Sequence, residues 1–114
     1  MESSSALKKL SALAQESRLA VFRLLVTSGE QGVAAGEIAR TLQITPNTLS
    51  AQLLILANAR LVTSRRQGRS IIYAADYASM SGLLLYLMED CCQGRPEVCA
   101  PMAQAAARAA SCAA

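Results

Sequence analysis

A mainly α-helical fold with one small β-hairpin is what this sequence predicts, and three features carry the prediction. Two short helical patterns are joined by a two-residue turn, a basic β-rich stretch with a glycine at its tip follows them, and apolar stripes at helical spacing lie on either side. That is the outline of a winged helix-turn-helix.

The first of the paired helices spans 36–42, where Ile38 and Leu42 sit four apart and share one face. Gln43 and Ile44 make the turn. Thr45 then stands where it can cap the orphan amides of a second helix, and Pro46 fits the first helical position, where its missing N–H costs nothing. Leu49, Leu53 and Leu56 fall at i, i+4 and i+7 and bury that helix against the first. Asn47, Thr48, Ser50, Ala51 and Gln52 are left facing outward. Side chains that are short, or that carry amides and hydroxyls, approach base edges in a major groove without burying an unpaired charge. Thr45 belongs to the same surface.

Residues 61–75 read as two β-rich arms around a Gly-containing tip, with Arg65, Arg66 and Arg69 beside it. This is the wing. Between Glu37 and Asp76 there is no acidic residue, whereas Arg40, Arg60, Arg65, Arg66 and Arg69 all lie in that window. A cluster of that sign behind a helix-turn-helix expects double-stranded DNA as its partner.

The totals narrow the class. At 114 residues and 53% hydrophobic content the chain is one domain with more apolar surface than its modest core needs, which points to a dimer. One Phe, three Tyr and no Trp leave the core to Leu, Ala, Val and Ile, as in packed helices. The net charge of +3 is mild; its clustering is what argues for nucleic acid. No apolar run approaches the roughly 20 residues that span a bilayer, and residues 1–5 lack the pattern of a signal peptide. The expectation is a cytoplasmic protein with no membrane partner. Four cysteines in a reducing compartment do not form structural disulfides, and the absence of histidine removes Cys/His zinc sites and His-dependent triads. With no general base and no Gly-rich phosphate loop, the sequence does not read as an enzyme.

The flanking helices suit pairing. Residues 6–14 carry Leu7, Leu10, Leu13 and Ala14 as a stripe, with Lys8 and Lys9 opposite it, to cover the core or meet a second subunit. In 18–26, Leu19, Phe22 and Val26 share a face, and Arg18 and Arg23 read as a solvated or salt-bridged helix face with no function assigned. Helix 77–90 is apolar nearly all round, with Met80, Leu83, Leu84 and Leu87 on one side, so its second side is expected against a symmetry mate. A homodimer through the terminal helices follows, with its reading helices about 34–36 Å apart on a palindromic site. Residues 1–92 form this DNA-binding and dimerisation domain, and 93–114 a cysteine-containing tail. Gly94 and Pro96 let the chain turn after Cys91 and Cys92, so that Cys99 can return towards them. Cys112 reads as a spectator.

Over residues 6–92 the chain resembles the ArsR/SmtB family of bacterial metal- and metalloid-responsive repressors. The resemblance rests on Ala12-Leu-Ala-Gln-Glu-Ser-Arg-Leu19, Asn47-Thr-Leu-Ser-Ala-Gln-Leu53, Ala59-Arg-Leu-Val62 and Arg66-Gln-Gly-Arg69. It implies a homodimer that leaves operator DNA when an inducer binds, with Ser50 and Gln52 at base-facing positions and Arg66 and Arg69 at the wing contacts. Gln52 stands where the family often has His, and Arg60 where a glycine usually ends the recognition helix. The cysteine pair that many arsenic sensors carry in the first helix of the motif is absent from 36–42, as are the His and Asp ligands of the zinc sensors. Cys91-Cys92 followed by Cys99 is similar to the C-terminal triad of an arsenite-responsive subgroup, which implies arsenite as inducer. Thiol chemistry agrees, because soft thiolates select soft acceptors, and three of them form a pyramid on trivalent arsenic or antimony and cancel its charge. A zinc, cadmium or lead site, a redox pair between Cys99 and Cys91 or Cys92, and idle thiols remain the alternatives.

Overall fold

Apolar spacing organises the chain into helices that close over a short sheet. In order these are α1 (Ser3–Leu13), α2 (Glu16–Ser28), β1 (Val33–Ala34), α3 (Ala35–Leu42), α4 (Pro46–Asn58), β2 (Val62–Gln67), β3 (Ser70–Ala75) and α5 (Tyr77–Leu87). The computed structural model describes residues 1–89 together with 101, 104 and 105. The chain divides into two compact units, Met1–Leu84 and Leu85–Ala114. Cys91, Cys92, Cys99 and Cys112, and the boundary expected at 92/93, lie outside the described residues.

The first unit has one core, built from Val21, Phe22 and Leu25 of α2, Ile38 of α3, Leu49, Leu53 and Leu56 of α4, and Leu61, Val62 and Ala75 around the sheet. The i, i+4, i+7 leucines of α4 are buried as their spacing predicts. Two other faces differ in detail from their spacing. In α2 the buried stripe is Val21–Phe22–Leu25, while Leu19, 44% exposed, and Val26 face outward. Because α2 packs against α1, α3, α4 and β3 together, its contact face is centred one residue away from the Leu19–Phe22–Val26 line. In α1, where the sequence leaves the stripe to the core or to a second subunit, Leu13 packs against the core and Leu7, 64% exposed, and Leu10 point outward, while Ala6, Lys9 and Ala12 point inward, so Lys9 is not on the open side. Two alanines allow the close approach to α2 and α4, and the Lys9 side chain is buried with its Nζ donating to the Ser79 carbonyl at 3.1 Å.

The wing is broader than two arms. β3 lies between β1 and β2 in an antiparallel sheet, with Val33 opposite Tyr73 and Ala34 opposite Ile72. A two-residue strand carries no periodicity of its own. Its position depends on Gly32, where φ is +76° and an added Cβ would stand 2.4 Å from the Tyr73 carbonyl oxygen. Across the hairpin, Gln67 pairs with Ser70, which leaves Gly68 and Arg69 as a two-residue turn with Gly68 at φ +64°.

Both helices of the helix-turn-helix end on left-handed residues that are not glycine. Gln43, at φ 55°, follows α3, and the Ile44 amide returns to the Ala39 carbonyl at 3.0 Å. Arg60, at φ 63°, follows α4, with Arg60 N–H bonded to the Ala57 carbonyl and Leu61 N–H to the Leu56 carbonyl, each at 3.0 Å. This is the paired bonding of a Schellman motif, and its apolar contact is supplied by buried Leu56 and Leu61. Thr45 occupies the N-cap of α4 and Pro46 its first turn, but the Thr45 hydroxyl caps no amide; it donates instead to the Thr48 hydroxyl at 2.9 Å. Asp76 does cap α5, accepting from Ser79 N–H at 3.0 Å.

Two substitutions check this backbone account. Gly32→Ala is expected to cost about 2 kcal/mol or more in urea unfolding, because it adds a clash to a left-handed backbone; wild-type stability would contradict the β1–β3 approach. Arg60→Gly is expected to stabilise the protein by about 1 kcal/mol, raising Tm by about 4 °C. An unchanged or lower Tm would show that Arg60 is not held in the left-handed region.

Candidate nucleic-acid interface

The helix-turn-helix presents α4 with its leucines inward, which leaves a polar, uncharged outer face. Thr45, Asn47, Thr48, Ser50 and Ala51 are exposed, and Gln52 is half-buried. No residue of α4 carries a charge. Leu54, 62% exposed, extends the outward strip begun by Asn47 and Ala51 at i, i+4 and i+7. Sequence reasoning missed Leu54, although its spacing from Asn47 is the signal that finds it. An exposed leucine there can contact a thymine methyl in a groove.

Gln52 is anchored from α2. The Arg18 side chain donates through Nη1 to Gln52 Oε1 at 2.9 Å and through Nε to the Ala12 carbonyl at 2.6 Å, while Arg18 N–H donates to Gln15 Oε1 at 2.8 Å. Arg18 is thus half-buried and bonded to neutral oxygens, where the sequence suggests a solvated or salt-bridged arginine. It links the last turn of α1 to the middle of α4, a contact across 34 residues of chain that no local pattern announces.

The five arginines of the window differ in what they hold. Arg40 pairs with Glu37 one turn earlier on α3, and both are exposed. Arg65 donates through Nη2 to the Gln31 carbonyl at 2.7 Å and so secures the loop before β1. Arg66 stands opposite Ile71, on the sheet face it shares with Ser64 and Tyr73. Ile71 and Tyr73 border a cleft of about 160 Å³ with Ala39, Leu49 and Ser50, so this face is the one turned to α3 and α4. Arg69 lies in the hairpin turn. Among the described residues Arg60, Arg66 and Arg69 are exposed and without an ion pair. Of the expected wing residues, Arg66 lies on the sheet face turned to α3 and α4 and Arg69 in the hairpin turn, while Arg65, equally exposed and without an ion pair among the described residues, donates one N–H to the Gln31 carbonyl.

Among the described residues there is no group of three His, Cys, Asp or Glu side chains that could hold a metal, and no helix is long and apolar enough to cross a membrane.

Residues 13–65 match a family model described as a helix-turn-helix domain. No curated protein matches the sequence. Among solved structures, an ArsR-like transcriptional regulator from Rhodococcus is 23% identical, covers 90% of this chain and 93% of its own, and superposes with a TM-score of 0.68. The homodimeric winged helix-turn-helix DNA-binding domain of a possible ArsR-family regulator from Mycobacterium bovis is 26% identical over 76% of this chain and 80% of that one, with a TM-score of 0.61. A possible transcriptional regulator for arsenical resistance is 26% identical, covering 82% of this chain and 95% of its own, with a TM-score of 0.62. Domain and fold together define the class: a winged helix-turn-helix protein of the kind that regulates transcription, with a DNA-binding domain over α2 to the wing. The solved proteins it is similar to include ArsR-family regulators.

Charge removal separates the arginines. On a duplex that the protein binds, Arg66→Ala and Arg69→Ala are each expected to lower the slope of log affinity against log salt by about 0.9, the value for one phosphate contact. Arg40→Ala is expected to change it far less. Equal slopes for all three variants would contradict the assignment.

Proposed function

We propose that the protein is a repressor of the ArsR/SmtB type, which binds double-stranded operator DNA as a homodimer and leaves it when trivalent arsenic binds Cys91, Cys92 and Cys99. The observation that carries the DNA half is the uncharged, exposed outer face of α4 together with a wing whose Arg66 and Arg69 are exposed and hold no ion pair among the described residues. Bases would be met by Asn47, Thr48, Ser50, Ala51 and Gln52, and phosphates by the wing. The likeness to ArsR-family regulators supports the same reading.

Homodimer formation is supported by the outward leucines. Leu7 and Leu10 of α1 are exposed, as are Leu84, Leu85 and Leu87 along α5, and apolar side chains in that number are characteristic of a face that meets a partner. The Mycobacterium bovis protein is described as homodimeric. Twofold pairing would set two α4 helices one turn of B-DNA apart.

Arsenite as inducer, with antimonite as the second candidate, is supported by the thiol triad in the sequence, by the absence of histidine, and by the solved relative described as a possible regulator for arsenical resistance. Three reduced thiols and a DNA target suit the cytoplasm. Two adjacent cysteines do not form a three-sulfur pyramid alone; Cys99 completes it. Ligation would tie the chain after α5 back on itself, bias the end of the pairing helix, and shift the population away from the DNA-bound arrangement. Such coupling amounts to about 1–3 kcal/mol, roughly 5–150-fold in operator affinity, and DNA must weaken metalloid binding by the same factor.

Anisotropy of a labelled duplex bound to the reduced protein tests this. Arsenite is expected to release the wild type and not Cys99→Ser. Release by zinc or cadmium alone would move the inducer to divalent metals, and release by none of them would remove the sensing half while leaving the DNA-binding half.

A further inference from the structure

Gln52 is the member of the outer face of α4 whose side chain is tied to another helix, and the tie has a chemical direction. Arg18 has N–H donors and no acceptor, so only the amide oxygen of Gln52 can face it. The oxygen is thereby turned inward, 2.9 Å from Arg18 Nη1. The Gln52 amide nitrogen has no hydrogen-bond partner among the described residues. It is open to solvent, because the Ser79 hydroxyl is the one buried side-chain polar atom left unpaired among them. The second Arg18 bond, from Nε to the Ala12 carbonyl, fixes the guanidinium plane and with it the amide orientation.

A free glutamine is an ambidextrous reader. Its bidentate match is adenine, with the amide N–H₂ donating to N7 and the amide oxygen accepting from N6. With the oxygen turned inward onto Arg18, it is the amide N–H₂ with its two donors that Gln52 turns outward. The major-groove edge that presents two acceptors side by side is guanine, through N7 and O6.

We infer that Arg18 is a specificity-determining positioning residue: by holding the Gln52 oxygen inward it turns the Gln52 amide donors outward, which selects guanine rather than adenine at one position of each half-site. This rests on the DNA-reading role proposed above for the outer face of α4. Arg18 itself touches no base; it acts through Gln52.

Selection from a randomised duplex pool with the reduced full-length protein tests it, using wild type, Gln52→Ala and Arg18→Met. Wild type is expected to retain guanine at one position per half-site, Gln52→Ala to lose that preference alone, and Arg18→Met to move it to adenine while the other positions stay. In the selected duplex, 7-deazaguanine at that position is expected to weaken wild-type binding by about 5-fold or more, the loss of one hydrogen bond, and to leave Gln52→Ala binding unchanged. The deaza substitution needs no altered protein, so it decides the matter even if Arg18→Met does not fold. A Gln52-dependent preference for adenine in the wild type, an unshifted preference in folded Arg18→Met, or indifference to the missing N7 would overturn the inference. A selected sequence with no Gln52-dependent position would overturn it too, while sparing the DNA-binding proposal. Failure of the wild type to bind any duplex would overturn both.

Discussion

The structure depends on the burial of one face of α4. Leu49, Leu53 and Leu56 are each almost wholly removed from water against Val21, Phe22 and Leu25 of α2 and Ile38 of α3. Burying each leucine contributes roughly 1.5–3 kcal/mol, which is large beside a whole-domain stability of about 5–15 kcal/mol. The same burial sets the helix's rotation about its axis. Once the three leucines point inward, Asn47, Ala51 and Leu54 can only point outward, so the core decides what DNA would meet.

Two left-handed residues then hold the ends of that arrangement. Gln43 turns the chain between α3 and α4, and Arg60 turns it from α4 into β2 through Leu61, whose amide and side chain both return to Leu56. Neither is glycine, so each turn carries local strain that the buried neighbours offset. Beyond Arg60 the sheet brings Arg66 to the α4 side, and the Asp76 cap starts α5. Recognition helix and wing are therefore positioned by a single continuous set of contacts rather than by separate devices.

Much of this was legible in the residues. The leucine spacing of α4, Pro46 at its start, the Gln43–Ile44 turn and the hairpin about Gly68 are local patterns, and local patterns are what a sequence displays. Contacts between distant segments are not displayed. Lys9 is buried beside Ser79, and Leu7 and Leu10 are exposed, because α1 lies against α2 and α4 through its alanines. A stripe of leucines does not by itself say whether it covers the core or meets a partner. The strand at Val33–Ala34 is too short for periodicity, and the Arg18–Gln52 bond joins residues with no shared pattern. For the interface, the identity of the outer α4 residues was readable, whereas their hydrogen-bonding state was not.

Two copies pairing through outward leucines would place two α4 helices on one face of an operator. Hydroxyl-radical footprinting of the protein on a duplex selected for binding from a randomised pool tests it most directly. The account requires two protected patches centred about 10 base pairs apart on the same side of the duplex. A single patch, or protection unrelated to the helical repeat, would contradict it.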